Sequence, residues 1–285
     1  MLFDPGFLRR LEYLSLISRR QFSGTSLAAK RSRQFGIGVE FADHQNYVCG
    51  DDLRYFDWNV YARFGLELIK RFSEERDLPV YLFLDTSQSM AFGEPVKFDY
   101  ARKLTAALAY IALAGLDRIS IIPFAEKMYH GFVPVRGKQQ ILRVMQFLET
   151  LQPSGKNTDF TAVMNGFVRR KQRSGLAVII SDFYDMQGYQ TGIDTLRYSG
   201  YEANLIQIYG VSEAEPALRG DVQIFDSETG LMQNVTINEN MLRRYKQKFS
   251  EFLYGIRRYA LRCGCNYTVS ATNVPFEDVI KKLLR

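Results

Sequence analysis

Five oxygen-bearing side chains in this 285-residue sequence stand where they could share a cation. Asp85, Ser87 and Ser89 alternate along Asp85-Thr86-Ser87-Gln88-Ser89-Met90, directly after the apolar run VYLFL (80–84). Thr158 lies in the glycine-bearing loop 154–159, and Asp182 follows the apolar run LAVIIS (176–181). Together they offer two carboxylates and three hydroxyls without a nitrogen or sulfur donor, which is the chemistry of a hard divalent cation. Mg²⁺ takes six oxygens and keeps several waters, so hydroxyls with water-bridged carboxylates serve it better than a closed protein cage. Mn²⁺ accepts the same donors. Such a site keeps an open coordination position. Thr161, three residues further on, is the alternative loop hydroxyl.

Three separate segments must be brought to one place for this to work. From Pro79 the sequence alternates apolar runs with longer stretches of helical period, the pattern of strands joined by helices in a parallel sheet. Strands are expected at 80–84, 118–124, 176–181, 203–209 and 266–271. Helices are expected at 97–115, 136–151, 160–172, 189–198, 240–263 and 276–284. The segment QIFDSETGLMQNVTI reads as a β-hairpin turning at 226–230 and decorating a sheet edge. This predicts a doubly wound, mostly parallel α/β domain over 79–285 with helices on both faces. Ligands of such sheets sit outside the carboxyl ends of the strands, where Asp85 and Asp182 fall.

Residues 1–78 read as an N-terminal arm and a charged, aromatic-rich segment packed on that domain. Apolar positions at Phe7, Leu8, Leu11, Leu14 and Ile17 give an amphipathic helix over 7–20. Further on, Glu40, Asp43, Asp51, Asp52, Asp57, Glu74 and Glu75 face Arg54, Arg63, Lys70, Arg71 and Arg76, with Tyr55, Phe56, Trp58 and Tyr61 interleaved. Internal ion pairing and aromatic burial are expected there, with a partner-docking surface as the alternative. The tracts RRKQR (169–173) and RRYKQK (243–248) read as solvated faces of helices.

Composition removes several functions. With 46% apolar and 14% aromatic residues the chain builds a large core. Two histidines and three cysteines leave little material for a zinc site, and the odd, unpaired cysteines indicate a reducing, cytoplasmic setting. No apolar stretch reaches the roughly 18–20 residues of a membrane span, and the N-terminus has no signal-peptide core. Of the formal +6 charge, most belongs to residues 1–33, where Arg9, Arg10, Arg19, Arg20, Lys30, Arg31 and Arg33 outnumber Asp4 and Glu12. That arm suits an acidic partner or anionic lipid. No nucleic-acid-reading motif accompanies it, and nucleic-acid binding through the arm is a third-rank reading.

The Asp-x-Ser-x-Ser, Thr, Asp order resembles the metal-ion-dependent adhesion site of von Willebrand factor A domains, in which the open metal position accepts a partner's carboxylate. A second resemblance spans nearly the whole chain. Glu40-Phe41-Ala42-Asp43, Gly50-Asp51-Asp52, Arg54, Asp57-Trp58, Ala62-Arg63, Glu74-Glu75-Arg76 and the closing Pro275-Phe276-Glu277-Asp278 are similar to the signature of the domain-of-unknown-function family 58. Gln45 stands where that family often has arginine, and the threonine loop reads Gly-Lys-Asn-Thr where it is often tighter. Members are bacterial proteins often encoded beside MoxR-type AAA+ ATPases. The resemblance therefore implies an ATPase partner and a chaperone-like or regulatory role.

Enzymatic alternatives fit less well. A strand ending in aspartate also opens haloacid-dehalogenase phosphatases, with Asp85 as nucleophile, but Ser87 occupies the place of their second, acid-donating carboxylate. The segment Gly131-FVPVR-Gly137-Lys138-Gln139 has the wrong spacing for a phosphate loop and no Ser or Thr after the lysine. Gly24-Thr25-Ser26 lacks the strand–turn–helix setting of a serine nucleophile. The expected function is a non-enzymatic, Mg²⁺- or Mn²⁺-dependent protein-interaction module.

Overall fold

Alternate residues of the strand Pro79–Asp85 face opposite sides, and every one of them is buried, as a strand covered on both faces by helices requires. The computed structural model describes residues 2–22, 35–36, 40–73, 78–155, 157–185, 187–225 and 232–283. Its elements are α1 (Pro5–Phe22), β1 (Phe35–Gly36), β2 (Glu40–Asn46), α2 (Trp58–Phe64), β3 (Leu68–Ser73), β4 (Pro79–Asp85), α3 (Lys97–Ala114) and β5 (Arg118–Phe124). They continue with β6 (Phe132–Arg136), α4 (Ile141–Thr150), α5 (Phe160–Val168), β7 (Leu176–Ser181), α6 (Gln190–Tyr198), β8 (Glu202–Tyr209) and α7 (Val211–Ala214). The last are β9 (Gly220–Phe225), β10 (Met232–Ile237), α8 (Glu239–Cys263), β11 (Asn266–Ala271) and α9 (Phe276–Leu283).

By contacts the chain separates into two compact units, Met1–Arg19 with Leu78–Arg285, and Arg20–Asp77. In the first, six strands run in the order β11-β8-β7-β4-β5-β6. All neighbours are parallel except β5 and β6. The expected doubly wound α/β architecture is the one observed. The crossover from β4 leads through α3 to β5 on one side, and that from β7 leads through α6 to β8 on the other. The sheet therefore changes winding direction between β4 and β7, which is where a crevice opens at the carboxyl ends.

Two cores lie on opposite faces of this sheet. Val80, Leu82 and Leu84 pack with Leu104, Ala107, Val144 and Leu148 from α3 and α4. Tyr81 and Phe83 pack with Phe160, Phe167, Ile193 and Ile256 from α5, α6 and α8. Helix α1 joins the first core: Phe7, Leu11 and Leu14 are fully buried, and the Phe7 ring lies 5.1 Å from that of Phe276 in α9. Arg10 pairs with Asp4 and Glu277 at 3.0 and 3.1 Å. The first helix, read from sequence as part of an arm packed on the α/β domain, lies in the same compact unit as the sheet, and part of its charge is paired internally. Lys30, Arg31 and Arg33 of that arm, Gly24-Thr25-Ser26, and Glu74-Glu75-Arg76 lie outside the described residues.

Several expectations are corrected. The FVPVR segment forms β6, an antiparallel strand at the sheet margin, and Gly137 in a left-handed conformation (φ 93°) separates it from α4. The helix expected over 136–151 therefore starts at Ile141. Helix α5 stops at Val168, so RRKQR lies in the turn after it, with Lys171 at φ 49°. The hairpin β9–β10 is present, but within the described residues its strands pair only with each other and do not extend the main sheet. Its residues 220, 221, 223, 232–234 and 236 are exposed, so no apolar face drives it onto an edge. Its turn, 226–230, lies outside the described residues.

The second unit holds a three-stranded antiparallel sheet in the order β1-β3-β2, where the sequence suggested only a charged irregular segment. Charge pairing there centres on Asp57. It accepts from the backbone N–H groups of Asn59 and Val60 at the start of α2, bonds His44 Nε2 at 2.9 Å and pairs with Lys70 at 3.4 Å. The aromatic burial is partial: Phe56 is buried, whereas Trp58 and Tyr61 are exposed. Among the described residues no helix is long and apolar enough to cross a membrane.

Candidate functional site

Strand β4 delivers Asp85 to the crevice fully buried, and the chain then turns on its carboxylate: the Ser87 N–H donates to Asp85 Oδ1 at 2.9 Å. Such a local aspartate turn is a common way to leave a strand, and it aims the next two hydroxyls together. Ser87 Oγ and Ser89 Oγ lie 3.0 Å apart. Thr86 faces away and anchors the loop, donating from both its N–H and its hydroxyl to the Phe124 carbonyl at 2.8 and 3.0 Å.

The loop carrying Thr158 is sewn to this turn. The Ser154 N–H donates to the Thr86 carbonyl at 2.6 Å, and the Gln88 N–H to the Gly155 carbonyl at 3.1 Å. Gly155 (φ 101°) is required twice over, because an added Cβ would stand 2.6 Å from Ala125 Cβ and 2.8 Å from Tyr129 Oη. Asp159 then caps α5, accepting from the Ala162 N–H at 2.7 Å. These constraints leave Thr158 buried, with its hydroxyl unpartnered among the described residues, on a cavity of about 160 Å³ that Asn157, Asp159, Tyr184 and Asp185 also line. Thr161 is half-buried on α5 and does not line that cavity.

From β7, Ser181 Oγ donates to Asp85 Oδ2 at 2.5 Å and accepts from the Phe183 N–H at 2.8 Å. Asp182 is 1% exposed. Its Oδ1 accepts from the Tyr184 N–H at 3.2 Å, and its Oδ2 accepts from Lys97 Nζ at 2.8 Å. Lys97 is itself 1% exposed and also donates to Glu213 Oε1 at 2.5 Å. The Tyr184 ring centre lies 5.2 Å from the ammonium. Phe183, between Asp182 and Tyr184, takes a left-handed conformation (φ 62°), a strain of the kind that concentrates at working sites.

Burial and, after it, the negative Asp182 push the Asp85 carboxyl up to about 7. Burial pulls the Lys97 ammonium down, but the Asp182 and Glu213 carboxylates outweigh it and hold it above its ordinary value. The crevice thus contains one carboxyl short of positive charge and another already supplied with it.

The donor set fits a divalent cation. A 3.0 Å gap between the serine hydroxyls matches adjacent ligands of an octahedral ion, about 3 Å apart for arms of about 2.1 Å. The unpartnered Thr158 hydroxyl is a buried donor atom without another employer. Among the described residues no group of three or more His, Cys, Asp or Glu side chains gathers that could hold a metal, so an ion bound here would depend largely on the hydroxyls. Sequence reading placed Asp85, Ser87, Ser89, Thr158 and Asp182 at this crevice, and the fold brings their three segments together there. It missed Lys97, Ser181 and Glu213. A lysine opening a helix was a usable signal, because the helix dipole disfavours a cation at that end unless anions hold it.

The uncharacterized protein Rv1480 of Mycobacterium tuberculosis is 25% identical to this chain over 266 residues, covering 92% of this chain and 83% of the relative. An aerotolerance-related membrane protein from Bacteroides fragilis aligns with a TM-score of 0.44 at 18% identity, over 72% of this chain and 96% of that one. The conserved hypothetical protein BatB from Bacteroides thetaiotaomicron aligns with a TM-score of 0.45 at 16% identity, over 73% and 95%. The profile of the family described as protein of unknown function DUF58 matches residues 43–251. With that match extending over more than half of its length, the chain belongs to the DUF58 family.

Proposed function

We propose that this protein is a non-enzymatic, metal-dependent protein-interaction module. Mg²⁺ or Mn²⁺ sits at a site formed by Asp85, Ser87, Ser89, Thr158 and Asp182, and an open position on the ion accepts a carboxylate of a partner protein. The observation that carries the reading is the buried, unpartnered Thr158 hydroxyl on a loop bonded to the turn that pairs Ser87 with Ser89. The family resemblance names the partner class, a MoxR-type AAA+ ATPase, with this chain as its adaptor in a chaperone-like or regulatory system in the cytoplasm. A phosphatase built on Asp85 has less support, because its nucleophile is fully buried and Ser87 stands where an acid is needed.

Titration of Mg²⁺ and Mn²⁺ into the wild type and Asp85→Ala tests the metal, and equal or absent binding in both overturns it. A purified MoxR-type ATPase is expected to bind in Mg²⁺ and to be released by chelator and by Ser87→Ala with Ser89→Ala. Binding indifferent to all three removes the metal bridge. Turnover of phosphoester substrates abolished by Asp85→Asn supports the phosphatase instead.

A further inference from the structure

The buried lysine of the crevice has no place in a site made only of oxygen ligands. Lys97 opens α3, where the helix dipole repels a cation. It is nonetheless 1% exposed and touched on three sides, by Asp182 at 2.8 Å, by Glu213 at 2.5 Å and by the Tyr184 ring at 5.2 Å. Both oxygens of Asp182 are engaged, one by Lys97 and one by the Tyr184 N–H. Asp85, by contrast, is bonded among the described residues by uncharged groups, Ser87 and the Ser181 hydroxyl. The two carboxylates at the strand ends are therefore not equivalent.

We propose that Lys97 is a tethered cation that takes Asp182 out of the metal's ligand set and sets the affinity of the site. The divalent ion is then gripped through Asp85, Ser87, Ser89 and Thr158 alone, and weakly. The fold in turn stays stable without metal, because the ammonium already compensates the more heavily engaged of two buried carboxylates. Glu213, less buried than either, shares the lysine from α7, just after β8, and fixes its direction: its other oxygen accepts from the Gly210 N–H at 2.7 Å. Lys97 is in this sense a positioning residue, acting on the ion through Asp182. The inference rests on the metal reading above and amends it in one respect: Asp182 stays beside the ion as a buried carboxylate held by Lys97 and is not one of its ligands.

The test is a Mn²⁺ titration, followed by direct binding and by melting temperature, of the wild type, Lys97→Met and Lys97→Met with Asp182→Asn. Freed from the lysine, Asp182 adds a full negative charge, so Lys97→Met is expected to bind Mn²⁺ at least about tenfold more tightly. Its melting temperature should also become strongly Mn²⁺-dependent where that of the wild type is not. The double variant removes both buried charges together, so it folds even where Lys97→Met alone does not. It is expected to keep wild-type affinity within about threefold. Lys97→Met binding no tighter than wild type overturns the inference and leaves the metal reading standing. A double variant that loses affinity by about tenfold or more also overturns it, because Asp182 is then a direct ligand. Binding by Lys97→Met with none by wild type overturns the metal reading and, with it, the weak wild-type grip inferred here; no binding by any of the three also overturns both.

Discussion

The Ser181 hydroxyl reaches from β7 to Asp85 at the end of β4, donating to Oδ2 at 2.5 Å, so the two strands flanking the crevice are joined by a bond to a buried carboxyl whose bonding partners among the described residues are uncharged. Burial, then Asp182, raise this carboxyl to about 7. A raised acid binds its proton more tightly in the folded state. In chelator, stability is therefore fully present below about pH 4 and is lost as pH rises toward about 7, by a few kcal/mol. Asp85→Asn is expected to abolish that slope in denaturant titrations across pH 4–8. An unchanged slope in the variant would assign the effect elsewhere.

Thr158→Val separates stability from binding. It removes a buried hydroxyl that has no partner at nearly constant volume, so the metal-free protein should gain about 1 kcal/mol. Divalent-ion affinity should fall in the same variant. Loss of stability without metal would show that the hydroxyl has a partner in solution.

Gly155→Ala asks whether loop placement governs the site. The new methyl would collide with Ala125 and Tyr129, at a φ of 101° that alanine avoids. A cost of about 1–3 kcal/mol follows, together with loss of metal affinity, since Thr158 is displaced with the loop. Retained affinity would exclude Thr158 as a ligand.

Leu11→Ala tests the membership of α1 in the main core. Leu11 is fully buried beside Phe7 and Leu14, so truncation should cost about 2–5 kcal/mol of global stability. A cost below about 1 kcal/mol, the level of exposed sites, would mean that the helix is peripheral.

Asp57 predicts acid sensitivity of the unit Arg20–Asp77. The His44 bond, foremost among its contacts, holds this carboxyl down to about 2. A depressed acid stabilises above its ordinary value near 4 and ceases to do so as pH falls through about 2. Hydrogen exchange of β2 and β3 amides should rise over that interval in the wild type, and Asp57→Asn should show the raised exchange already at pH 5. Identical protection in both at pH 5 would place the stabilisation elsewhere.

The fold was legible because its strands are buried on both faces. Runs such as 80–84 and 176–181 need no partner information to be recognised, and glycines near 115 and 264 cap the helices between them. The candidate residues were chosen for the same reason: ligands of such a sheet follow its strands, and the oxygen-bearing residues Asp85 and Asp182 stand where the apolar runs stop. What was not legible depended on contacts distant in sequence. Lys97 is explained by Asp182 and Glu213, 85 and 116 positions away. Strand β6 escaped because Pro134 and two flanking glycines look like loop chemistry, and β2 and β3 because they carry charges such as Asp43, His44 and Lys70 that bury no alternating apolar face.

Strand β6 has an effect on how this molecule meets others. It closes one border of the sheet, and its central Pro134 has no N–H to offer a docking strand. Its register with β5 is also broken between Ile119 and Ile121. Irregular, proline-bearing borders resist the strand-by-strand growth that leads to fibrils, and they refuse peptides that bind by extending a sheet. Recognition along this border by backbone pairing is thereby discouraged.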